Sequence, residues 1–284
     1  MSDIVDDFYT ARNLLYLGAY PQALSNLATL PRTVDATERQ SLQYRAYLGQ
    51  GNQALVLSEI PATTPNAVLQ AIRNLALKGP VDLTIDPANL QNPTFVAITA
   101  QTLSSAEQTD DALRMLDMHP RNLECTLLMV AIYLKIGRLD LAQKLVARQR
   151  QWAEDAPIAQ LAEAWTALAQ GGLKYNEAYY VFVELAQASA VSTARLFCSL
   201  AVVKLHLGQY EEAQAHLQSA LEKDPNDPDT LANLVVCASL TAQSPEVRAR
   251  YLSQLAHVAP KHPFIADLEQ ASARFDSALA TMAK

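Results

Sequence analysis

One short pattern constrains this chain more than any other feature. Residues 207–213 read LGQYEEA, and a blurred copy, LGAYPQA, stands at residues 17–23. Taking Ala213 as the anchor, Phe197 lies sixteen residues before it, Leu200 thirteen, Gly208 five and Tyr210 three. Leu217 follows by four, Ala220 by seven and Pro225 by twelve. Phe197, Leu200 and Val203 recur at helical intervals and share one face of a first helix. Gly208 ends that helix, because glycine tolerates positive φ. Tyr210 packs in the turn. Ala213 is small where two helices cross most closely, and Leu217 and Ala220 continue the buried stripe of a second helix. Asp224-Pro225 stops it, since the residue before a proline avoids helical backbone.

This is the spacing of a tetratricopeptide repeat, a helix–turn–helix unit of about 34 residues. Lys204 departs from it, at a position that is usually aromatic. The anchoring alanine recurs as Ala23, Ala54, Ala112, Ala142 and Ala178 before Ala213, at intervals of 31, 58, 30, 36 and 35. The interval of 58 spans two units, so a degenerate pair is expected in residues 66–92. A further pair of helices is expected from Asp229 to Thr241 and from Glu246 to Val258. The stretch Pro263–Met282 aligns Phe264, Leu268, Ala271, Phe275 and Leu279 on one face, as a helix capping the stack would. The fold class expected is therefore all-α. The chain reads as a single domain over residues 1–284, a right-handed solenoid of seven or eight helical hairpins, with capping helices over residues 229–282. The weakest stretch is residues 78–92, punctuated by Pro80, Pro87 and Pro93. It reads as an irregular link in which VDLTI offers one short strand.

Composition agrees. Half of the 284 residues are hydrophobic, 18% are charged and only eight are glycine, enough apolar side chains for a sizeable helical core. The net charge of −7 comes without any cluster of Lys and Arg, which argues against nucleic acid as a partner. Three widely spaced cysteines, Cys125, Cys198 and Cys237, sit in apolar helical stretches and read as buried thiols in a reducing compartment. The opening MSDIVDDFYT is acidic and lacks the apolar core of a signal peptide. The longest apolar run, Leu127–Leu134, falls far short of the roughly 20 residues that span a bilayer. A soluble, cytosolic protein is expected.

Catalytic chemistry finds no support. The sequence has no phosphate-cradling glycine loop, no GxSxG, no CxxC and no HExxH. The five histidines are scattered, so no metal site and no cofactor is expected. The acidic run DPNDPD at residues 224–229 lacks the glycine and final glutamate of a calcium loop. It reads instead as a helix end at Asp224 and a helix start at Asp227 or Asp229.

What remains is surface. First helices of such solenoids line a concave side that takes a partner's peptide or protruding element. Residues one turn off the buried stripe would face it: Phe8, Arg12, Tyr16, Tyr47, Leu127, Leu134, Leu205 and His206. Several are apolar or aromatic, as an interface core is. The Lys and Asn clamp of chaperone-tail binders is not evident, since Val5, Phe8 and Arg12 stand at its positions.

Four longer phrases carry a family resemblance: DDFYTARNLLYLGAYPQALSNL, ERQSLQYRAYLGQGNQALVLSEI, ECTLLMVAIYLKIGRLDLAQKLV and QLAEAWTALAQGGLKYNEAYYVFVEL. With NLVVCASLTAQ near the end, they resemble the epsilon subunit of coatomer from about Phe8 to Phe275. The resemblance implies a non-enzymatic subunit of the COPI vesicle coat. It further implies binding to the C-terminal region of the alpha subunit, in Golgi-to-endoplasmic-reticulum and intra-Golgi transport. Contact with Golgi membranes and coated vesicles would be indirect, through the rest of the coat. The alternative is a different peptide-binding adaptor of the same repeat class.

Overall fold

The structure is a computed structural model, and it describes residues 6–77, 85–188 and 192–282. The described residues form α-helices, one 3₁₀ turn and no strand. The chain divides into two compact units, Met1–Val191 and Ser192–Lys284.

The first unit contains α1 (Tyr9–Tyr16), α2 (Tyr20–Thr29), α3 (Ala36–Gly49), α4 (Gln53–Glu59), α5 (Ala67–Leu77), α6 (Pro93–Ser105) and α7 (Thr109–Leu116). It continues with α8 (Leu123–Lys135), α9 (Leu139–Ala153), α10 (Pro157–Gln170) and α11 (Lys174–Ala188). The second contains α12 (Ala194–His206), α13 (Tyr210–Lys223), α14 (Pro228–Leu240), α15 (Pro245–Val258) and α16 (Pro263–Met282). Consecutive helices pair as hairpins: α1 with α2, α3 with α4, α6 with α7, α8 with α9, α10 with α11, α12 with α13, and α14 with α15.

Short polar caps start several first helices. Asp35 accepts from Thr37 N at 2.8 Å, Asn92 from Thr94 N at 2.9 Å, Asn122 from Cys125 N at 3.0 Å and Thr193 from Leu196 N at 3.2 Å. Each satisfies an amide that the helix leaves without an internal acceptor, worth about 1 kcal/mol. In the acidic run, Asp224 is the C-cap of α13, and Asp227 caps α14 through Thr230 N at 2.9 Å. The reading of DPNDPD as helix punctuation holds, with Asp227 as the starter.

The repeat phase is set by backbone handedness. Gly208 has φ +73° and Ala213, five residues on, is fully buried. Ala23, Ala112, Ala142 and Ala178 are buried in the same manner. Ala54 is a correction: it is exposed. The left-handed turn between α3 and α4 falls at Gly51, φ +79°, and the buried residue five positions later is Val56. Gly49 is instead the last residue of α3, where an added Cβ would overlap the Tyr20 ring. In α6–α7 the left-handed position is taken by Glu107, φ 63°, again five residues before a buried alanine.

The degenerate pair expected in residues 66–92 is, among the described residues, one helix, α5, and a 3₁₀ turn at Pro87–Gln91. α5 packs on α3, α4 and α6 through Val68, Ala71 and Ile72. Most of the VDLTI segment lies outside the described residues. Lys204, out of pattern in the sequence, is buried with its amine paired to Glu212 at 2.7 Å and Gln209 at 2.8 Å. Its alkyl stem fills the slot of an aromatic ring while the charge finds partners. Cys125, Cys198 and Cys237 are free and buried. Burial drives the Cys125 and Cys198 thiols up to about 12, so neither is a thiolate at neutral pH.

α16 forms over the expected range. Its first turn seats Ile265 against Leu231 and Leu255. Beyond that turn its apolar stripe is exposed, so the helix covers the end of the stack only through Phe264 and Ile265.

Candidate functional site

In the first unit, α1 lies beside α3 and also meets α10, and its side chains cross to α8. The inner faces of α1, α3, α6 and α8 therefore meet, and charged side chains fill the meeting point. Glu124, on the first turn of α8, is buried. Its Oε1 accepts from Arg45 Nη2 of α3 at 2.8 Å, and its Oε2 lies 3.3 Å from Arg12 Nε of α1. Arg12 reaches on to Glu38 of α3 at 2.6 Å and to Asp6 at 2.5 Å. Glu38 accepts from Thr94 Oγ1 of α6 at 2.7 Å. Arg45 donates to the Tyr16 hydroxyl at 3.0 Å and lies over the Tyr16 ring, 5.6 Å from its centroid.

The electrostatics follow from burial and partners. Burial alone would raise the Glu124 carboxyl. The Arg45 and Arg12 charges, with hydrogen bonds from Arg45 and Tyr16, reverse this and hold it below the usual carboxylate range. Burial and the Glu124 charge push the Tyr16 hydroxyl well above its ordinary value. Removing charge from water costs several kcal/mol per ion, and only close partners return it. A cluster of this kind fixes four helices in register.

A cleft of about 190 Å³ adjoins the cluster, between Asp6, Arg12 and Asn13 on one side and Arg121, Glu124 and Trp152 on the other. No described helix is long and apolar enough to cross a membrane. Among the described residues no three His, Cys, Asp or Glu side chains converge as a metal site would need.

The inner-face candidates separate into three groups. Leu127 is fully enclosed and Phe8 is 6% exposed. Both are buried within the first unit. The stripe they lie on is buried against neighbouring helices of the same unit. Arg12 and Tyr16 do face inward, but they serve the charge cluster. Tyr47 and Leu134 are half-buried in the first unit, and Leu205 is half-buried and His206 exposed in the second. Tyr47 meets Tyr44 edge-on at 6.4 Å and accepts from Gln43 at 3.1 Å. Glu124, Arg45 and Glu38 were absent from the sequence-derived set. Their one sequence signal is a carboxylate opening the otherwise apolar ECTLLMVAIYL.

Helical hairpins repeating at this spacing define a helical-repeat protein of the tetratricopeptide class. Two solved structures share the fold. One is a tetratricopeptide repeat protein from Parabacteroides merdae, with TM-score 0.56 and 15% identity over 91% of this chain and 94% of that one. The other is the APC/C hetero-tetramer Cut9–Hcn1, with TM-score 0.61 and 13% identity over 91% of this chain and 54% of that one. The particular family is given by sequence: the Coatomer epsilon subunit model matches residues 4–283. Coatomer subunit epsilon-1 of Arabidopsis thaliana is 35% identical, covering 98% of each chain. Coatomer subunit epsilon of Caenorhabditis elegans is 29% identical, covering 96% of this chain and 97% of that one. The chain belongs to the coatomer epsilon subunit family.

Proposed function

We propose that the chain is a non-enzymatic structural subunit of the COPI coat, binding the C-terminal region of the alpha subunit through the first helices of its repeats. It would serve in Golgi-to-endoplasmic-reticulum and intra-Golgi vesicle transport, cytoplasmic and peripheral on Golgi membranes and coated vesicles. Its membrane contact would be indirect. The observation that supports this best is membership of the coatomer epsilon family over residues 4–283, combined with a helical-repeat fold. In the first unit we assign Tyr47 and Leu134 to the partner, with Arg12, Tyr16, Phe8 and Leu127 supporting them from within that unit; in the second unit we assign Leu205 and His206.

Mixing the purified full chain with the C-terminal region of the alpha subunit tests this. A complex of fixed stoichiometry on size-exclusion chromatography with light scattering is expected. Two folded partners that elute separately at micromolar concentration would refute it. A chaperone-tail adaptor would instead bind an acidic C-terminal peptide with submicromolar affinity.

A further inference from the structure

We draw no further inference here: the strongest candidate, the cleft of about 190 Å³ between α1, the start of α8 and the end of α9 with the buried Asn13 on its wall, belongs to the charge cluster already described, and its two arginines, Arg12 and Arg121, balance its two carboxylates, Asp6 and Glu124, so that no class of ligand is selected.

Discussion

Arg45 and Glu124 meet at 2.8 Å although 79 residues separate them, and both are buried. The pair ties the second hairpin of the first unit to α8. Breaking one partner leaves the other charge buried without compensation, which costs about 3–5 kcal/mol. Glu124→Gln is therefore expected to lower the free energy of unfolding of the first unit by that order in urea titration. Arg45→Met/Glu124→Leu, which removes both charges, should recover most of the loss. A double variant as unstable as the single would show that the pair contributes net stability beyond mutual compensation.

The same pair gives a pH dependence. The folded-state carboxyl of Glu124 lies below its unfolded value of 4.5, so the folded state binds its proton more weakly than the unfolded state does. The resulting stability is fully present above pH 4.5 and is lost as pH falls through the folded value. Wild-type stability should therefore decline below about pH 4.5. In Arg45→Met/Glu124→Leu this part of the decline should be reduced, measured as urea midpoint against pH.

Gly49 and Ala54 test the turn phase. Gly49→Ala places a methyl in the Tyr20 ring and should cost about 1–3 kcal/mol by overpacking. Ala54→Leu, on an exposed residue, should change thermal stability by less than about 0.5 kcal/mol. Ala213→Leu, at a fully enclosed crossing, should cost at least as much as Gly49→Ala.

These positions also show how far the fold was legible. Ala23, Ala112, Ala142, Ala178 and Ala213 were found because small side chains recur wherever paired helices touch. Ala54 was misplaced because LGQGNQA holds two glycines, and spacing alone cannot tell the packing glycine, Gly49, from the left-handed one, Gly51. The charge cluster was not legible. Arg12, Glu124 and the α3 pair Glu38 and Arg45 stand on three helices far apart in sequence, and only the packing of α1, α3 and α8 brings them together. Periodicity places Leu127 on one face of α8, but it does not say whether that face is open or filled; here Leu127 is buried. The same ambiguity hid the exposed stripe of α16, which has the period of a buried one.

On the assigned partner surface, Tyr47→Asp should weaken the complex with the alpha subunit about tenfold by titration calorimetry, since half-buried aromatic contacts carry much of an interface's energy. The unfolding midpoint should stay within a few degrees of wild type. An unchanged affinity would remove Tyr47 from the interface.

Hydrogen–deuterium exchange of the full chain, free and with the C-terminal region of the alpha subunit, tests the functional account most directly. Protection is expected in the segments of α3, α8 and α12 that carry Tyr47, Leu134, Leu205 and His206. Protection confined to second helices such as α9 and α13, or none at saturating partner, would contradict it.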